Sequence, residues 1–441
     1  MWIKYKYPLF FMLSSIFLMT SCSKTLYVSK NLKQMIEKSD TLNKYQAGFA
    51  LYDPQMGKYI YTKDLHKYYT PASNTKLYTF YASLKMLPEF IPALKYVKRE
   101  DSLIFWGTGD PSFLQGKLKG KEAFNFLKEA PEKLFFSPTR YTSSFYGAGW
   151  QWDDYNDYYQ PEITELPLMD NMVTVRNVNS KIQIQPKIFA KDFMADSSNK
   201  RPFKIVRDFD QNIFNYPSDP SAPISPNFTQ QIPYKTSTVT TLNILQDTLN
   251  KEVGIINLPL PKEAKALKGM SRDSILKEMM LPSDNFIAEH LLLLCADQLG
   301  TELNTAKAID YALKNYLNDL PDKPIWVDGS GLSRYNLFTP ADNIHILKKI
   351  MELYPNVDEL FALLPAGGYS GTLKNAYPAT KNPWVFGKTG TVSNTHNQSG
   401  YIKTKSGKIL LYSFMNNNFV LPTSEIRKQM GKIVTYIHEK Y

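Results

Sequence analysis

Cysteine is nearly absent: Cys22 and Cys295 are the only two in 441 residues, so a disulfide framework is excluded. Histidine is scarce as well. The five, His66, His290, His345, His396 and His438, include no pair spaced i, i+4, which argues against a zinc hydrolase; no metal and no cofactor is expected. Only eight of the 52 basic residues are Arg, and no run of five like charges occurs. Because Arg is the preferred reader of phosphates and bases, nucleic acid is a poor partner for the net charge of +11, and the excess lysine reads as a solvated surface. A Gly-x-Ser-x-Gly elbow and a Gly-rich phosphate loop are both missing, which removes the usual Ser-His-Asp hydrolase and the P-loop nucleotide binder. The apolar run Pro8 to Met19 is too short for a comfortable membrane span.

What is present is the balance of a globular protein, 43% apolar and 21% charged, with 29 Tyr and 25 Phe to fill its core. The length is ample for several domains. Lys4 and Lys6, the apolar run and then Thr20, Ser21 and Cys22 read as an export signal over residues 1–21. Met-Thr-Ser-Cys is similar to a bacterial lipoprotein processing box, so Cys22 is expected to be acylated. That places the chain in the bacterial envelope, periplasmic and lipid-anchored to a membrane, with an uncleaved signal anchor as the alternative. Cys295, in an apolar helical run, reads as a core thiol.

Two short apolar runs, Gly48 to Asp53 and Lys58 to Thr62, flank Pro54-Gln55-Met56-Gly57 and predict a hairpin. After Pro71 the period changes: Leu77, Phe80, Tyr81, Leu84 and Leu87 recur at helical spacing, so a helix begins near Ser73. Residues 98–235 have the texture of short strands parted by turns and read as a β-rich inserted region, with room for two subdomains. Residues 22–97 and 236–441 then form one discontinuous core of mixed α/β (α+β) class. Its closing third has strand-like runs at Trp384 to Phe386 and Ile409 to Met415, and a helix carrying Ile426, Met430, Ile433 and Ile437.

A serine can be activated by a lysine one helical turn away when burial and a nearby cation keep the amine partly neutral. Ser-x-x-Lys occurs four times, so at least three matches are chance. Only Ser73 and Lys76 follow Pro-Ala at the opening of a long apolar-striped helix. A helix-capping serine is the alternative. Ser-x-Asn would add a proton-relaying hydroxyl and a carboxamide for the substrate; among several copies only Ser283-Asp284-Asn285 stands between two helical patterns, where it too can be a cap. Lys-Thr/Ser-Gly offers a cation and a hydroxyl to a carboxylate, plus a glycine that lets substrate lie along a strand edge. Lys405-Ser406-Gly407 reads as a hairpin tip, whereas Gly387-Lys388-Thr389-Gly390-Thr391 extends the apolar run before it.

Taken together and in order, these three elements resemble the low-molecular-mass class C penicillin-binding proteins, the D-Ala-D-Ala carboxypeptidase/endopeptidase family S13. Pro71 to Lys76, Ser283 to Glu289, Asp328 to Asn336 and Gly387 to Thr391 look like its blocks. The 206 residues between Lys76 and Ser283 fit too, since this family carries extra domains there and class A β-lactamases do not. Trp106 to Pro111 and Gly149 to Asp154 look like blocks of the insert. The resemblance implies a penicillin-binding, serine β-lactamase-like transpeptidase core, peptidoglycan stem peptides as substrate and β-lactams as inhibitors. It implies Ser73 as nucleophile, Lys76 as base, Ser283 as proton shuttle, Asn285 as a holder of the acyl side chain, and Lys388 with Thr389 as carboxylate binders along the Gly390-Thr391 edge. By the same analogy Asp154 meets the free amine of the peptide's diamino acid. The alternatives are a β-lactamase of the same fold and a non-catalytic peptidoglycan-binding scaffold. One departure stands out: Val392 to Gln398 is more polar than the family usually shows before its next strand.

Overall fold

The hairpin expected at the start of the core forms as Gln46–Asp53 and Lys58–Lys63, paired antiparallel. Asp53 closes its turn by accepting from the amides of Gln55 and Met56. In this computed structural model the described residues are 26–441 apart from 180, 198–202, 219–223 and 301. The export signal and Cys22 therefore lie outside the described residues. Among the described residues no helix is long and apolar enough to cross a membrane.

The described residues divide into two compact units, one within 26–77, 320–325 and 337–441, the other within 78–319 and 326–336. In the first unit the hairpin joins a five-stranded antiparallel sheet whose order runs Val385–Val392, Thr395–Lys403, Ile409–Asn417, Gln46–Asp53, Lys58–Lys63. Alternation along these strands sorts side chains onto two faces. Phe49, Leu51, Tyr412 and Phe414 pack against Val28, Leu32 and Ile36 of the helical residues 26–37 and against the predicted stripe Ile426, Met430, Ile433 and Ile437 of helix Thr423–Lys440. Ser413 and Tyr401, on the other face, hydrogen-bond to Asn343 and to the Leu347 carbonyl of helix Pro340–Glu352. Val385–Val392 is an edge strand, so one row of its backbone groups faces away from the sheet.

The second unit holds a mixed five-stranded sheet, in the order Val253–Ile255, Lys133–Phe136, Ser102–Trp106, Phe90–Arg99, Lys265–Ser271. The insert boundaries expected at residues 98 and 235 fall across this sheet. Phe90–Arg99 begins before the first of them and pairs with Lys265–Ser271, well beyond the second. Two further three-stranded sheets, one of them Thr229–Pro233, Met172–Val178 and Lys181–Gln185, account for the β-rich texture of the segment. Helix Asn285–Gln298 is apolar around most of its circumference and correspondingly buried, from Phe286 to Asp297 without interruption. Cys295 is one of these buried side chains, and burial pushes its thiol up to about 12, which makes it inert.

Candidate active site

Ser73 lies in a single 3-10 turn, Ala72–Thr75, and the α-helix proper starts at Lys76. Its hydroxyl does not cap that turn; it accepts from Lys76 Nζ at 3.0 Å, and Lys76 is fully buried. Placing nucleophile and amine on consecutive turns of one rigid element fixes this contact without cost to chain entropy elsewhere.

The turn itself is held in an unfavourable backbone. Ala72 has φ 46°, a region that costs a residue with a Cβ about 1–2 kcal/mol. Three hydrogen bonds over-determine it: Thr75 Oγ1 donates to the Ala72 carbonyl at 2.9 Å, and Asn397 Nδ2 donates to the carbonyls of Thr70 and Pro71, both at 2.9 Å. Asn74 Nδ2 reaches Ser399 Oγ at 3.1 Å. The polar stretch after Thr391 thereby gains a structural reason. In strand Thr395–Lys403, Asn397 and Ser399 point to the face that carries the nucleophile turn.

The lysine chosen from the third motif, Lys388, is fully buried in the edge strand. Burial first, and then the charge of Lys76, holds its ammonium well below the ordinary lysine range. The two amines thus share one buried environment. Lys388 Nζ donates to the Thr389 carbonyl at 2.7 Å. Gly390 presses its backbone onto the nucleophile turn: a Cβ there would stand 2.4 Å from the Pro71 carbonyl oxygen and 2.9 Å from the amide nitrogens of Ser73 and Asn74. Thr389 and Thr391 alternate with these onto the opposite face of the strand. There Thr389 Oγ1 donates to Thr372 Oγ1 at 2.7 Å, and Thr391 Oγ1 lies 2.7 Å from His396 Nδ1. The competing Lys405-Ser406-Gly407 is indeed a turn, closed by Thr404 and Lys408, between strands Thr395–Lys403 and Ile409–Asn417.

Ser283, Asn285 and Asp154 belong to the second unit. Ser283 has φ 66°, and the following residue, Asp284, is the cap of helix Asn285–Gln298, accepting from the Ile287 amide at 3.0 Å. Ser283 is therefore not the cap. Asn285 Nδ2 donates to the Tyr159 carbonyl at 3.0 Å. Asp154 lies in the turn Trp152–Asn156; its carboxyl is raised by burial, while a hydrogen bond from Tyr159 and the charge of Arg334 pull it down and Asp153 and Asp157 push it up. Tyr159 thus touches both Asn285 and Asp154. The 328–336 block is a scaffold. Asp328 accepts from the amides of Gly331 and Ser333, from Asn336 Nδ2 and from Trp150 Nε1, and Glu289 accepts from the amides of Gly329 and Ser330. Thr79, from the helix that starts at Lys76, donates to the Gly329 carbonyl at 2.7 Å. Burial and then the charge of Asp328 push Glu289 up to about 7.

Sequence reasoning passed over Asn74, Asn397, Ser399, Thr372 and Glu289, which act through contacts distant in sequence. Asn397 and Ser399 lay within or beside the polar departure after Thr391. Among the described residues no group of three or more His, Cys, Asp or Glu side chains is arranged to hold a metal ion.

Comparison with known proteins identifies the fold and the family. The D-alanyl-D-alanine carboxypeptidase DacB of Haemophilus influenzae is 24% identical over 377 residues, covering 78% of this chain and 77% of its own. A D-alanyl-D-alanine carboxypeptidase of an Actinomadura species is 24% identical over 84% of this chain and 77% of its own. Among solved structures, penicillin binding protein 4 (dacB) from Haemophilus influenzae superimposes with a TM-score of 0.70 at 20% identity, covering 92% of this chain and 97% of that one. That likeness establishes the penicillin-binding fold. The model of the D-Ala-D-Ala carboxypeptidase 3 (S13) family matches residues 28–439, and the chain belongs to that family of hydrolases.

Proposed function

We propose that the chain is a serine-type D-Ala-D-Ala carboxypeptidase and D,D-endopeptidase that acts on peptidoglycan stem peptides through an acyl-enzyme. The observation that carries this reading is the 3.0 Å contact between Lys76 Nζ and Ser73 Oγ, with the buried Lys388 amine close enough to feel the charge of Lys76. Ser73 Oγ attacks the carbonyl carbon of the penultimate D-alanine while the Lys76 amine takes its proton. The resulting oxyanion is received by the backbone N–H groups of Ser73 and Thr391, each such donor being worth about 3 kcal/mol of barrier. Collapse breaks the peptide bond; Ser283 passes a proton to the leaving amine, and water then hydrolyses the ester. Asn285 holds the acyl side chain, Lys388 and Thr389 receive the terminal carboxylate along the Gly390-Thr391 edge, and Asp154 meets the amine of the diamino acid.

A second solved structure of penicillin binding protein 4 from Haemophilus influenzae holds a β-lactam, at a TM-score of 0.67 to this chain, which supports β-lactams as inhibitors here. Acylation of Cys22 would tether the enzyme to a membrane of the bacterial envelope, on its periplasmic side. Palmitate labelling that is lost in Cys22→Ser checks this.

The deciding experiment is digestion of purified peptidoglycan: released D-alanine reports carboxypeptidase action and cleaved cross-links report endopeptidase action. Neither product, from an enzyme that still folds, would overturn the reading. The pH profile adds a second check. A lysine amine must be unprotonated to accept the Ser73 proton, so the acylation rate falls as pH falls and the Lys76–Lys388 pair gains its proton. Because burial and mutual repulsion depress Lys388, the inflection should lie below the ordinary lysine value of about 10.4. A rate still climbing above that value would contradict a shared, depressed site.

A further inference from the structure

The polar strand after the third motif holds one side chain that no catalytic role has absorbed. His396 is directly opposite Thr391 in the antiparallel pairing, and it is 3% exposed while Thr391 is open to solvent. Its Nδ1 lies 2.7 Å from Thr391 Oγ1, and Asn416 Nδ2 donates to its backbone carbonyl. A buried ring thus directs one nitrogen at an exposed hydroxyl on the edge strand. The hydrogen of a threonine hydroxyl rotates freely in the absence of such a partner. With Nδ1–H donating to the oxygen, the hydroxyl's own hydrogen is left to point outward.

On the reading of Lys388 and Thr389 as receivers of a carboxylate, we propose that His396 is a positioning residue that holds Thr391 as an additional donor to the terminal carboxylate of the substrate. The relay runs from His396 Nδ1–H to Thr391 Oγ1 and from Thr391 O–H to the carboxylate oxygen. The ring is neutral across the working range: burial, then the charges of Arg427 on helix Thr423–Lys440 and of Lys388 on the edge strand, hold it at about 3. A neutral imidazole carries a single N–H, and the relay requires it on Nδ1.

The test is a double-mutant cycle read on the rate of acylation by benzylpenicillin, which carries a carboxylate of its own. His396→Leu should slow acylation about tenfold, the size of one hydrogen bond to a charged group. His396→Asn, whose carboxamide N–H reaches the same position, should recover to within about threefold of wild type. In a Thr391→Val background the His396→Leu change should cost less than about twofold, because the donor it serves is gone. An undiminished rate in His396→Leu would overturn the proposal. So would a tenfold loss that persists in the Thr391→Val background, since the histidine would then be supporting the strand generally. If His396→Leu fails to fold, His396→Phe, which also lacks the N–H, closes the same cycle with Thr391→Val. A wild-type chain that is not acylated at all would instead count against the proposed function, so the two failures are distinguishable.

Discussion

Benzylpenicillin adds its mass to the wild-type chain and nothing to Ser73→Ala: that is the expected result of intact-mass measurement after incubation. The substitution removes one partly exposed hydroxyl and leaves Lys76, the nucleophile turn and the strand against it in place. It opens no cavity of note, and the thermal midpoint should stay within about 2 °C of wild type. Turnover of a D-Ala-D-Ala peptide should nevertheless drop by roughly 10⁴-fold or more, as it does when a member of a nucleophile–base pair is removed from an enzyme whose binding site is intact. Lys76→Met should fall nearly as far. Combining the two should add little, since each alone disables the same proton transfer. Labelling of Ser73→Ala at the wild-type rate would remove the nucleophile from this serine. A large loss of stability would point to a structural hydroxyl instead.

Elements set by local chemistry were legible in the sequence. Pro54 to Gly57 between two apolar runs is enough to specify a hairpin, and the stripe Ile426, Met430, Ile433 and Ile437 is enough to specify the closing helix. Order along the chain also separated Lys388 from Lys405, because a motif that continues an apolar run lies in a strand and one flanked by two runs is a turn. What stayed hidden depends on register between distant strands. Nothing local shows that Asn397 holds the carbonyls of Thr70 and Pro71, more than 300 residues earlier. The same applies to Glu289, whose carboxylate is engaged by the amides of Gly329 and Ser330, some 40 residues later. The bounds of the inserted region were blurred for a related reason. Strand Phe90–Arg99 has one partner, Ser102–Trp106, inside the expected segment and the other, Lys265–Ser271, beyond its end at residue 235, and no composition change marks a sheet shared across so long a loop.

Gly390→Ala is expected to damage acylation severely although it adds a single carbon and removes nothing. The new methyl would sit 2.4 Å from the Pro71 carbonyl oxygen and 2.9 Å from the Ser73 and Asn74 amide nitrogens, and all three are backbone atoms that cannot swing aside. Either the edge strand or the nucleophile turn must move. The turn is already held at the unfavourable φ of Ala72 by Asn397 and Thr75, so a shift there also releases those hydrogen bonds. Displacement of about 1 Å at a reacting group costs on the order of 100-fold in rate. Benzylpenicillin acylation should fall by at least that factor. Gly116→Ala is the fair control: it meets nothing within 4 Å and its φ lies outside the left-handed region, so its acylation rate should match wild type. If Gly390→Ala kept the wild-type rate, the close approach of the strand to the Ser73 turn would have no part in catalysis. The functional reading would then rest on the serine–lysine contact alone.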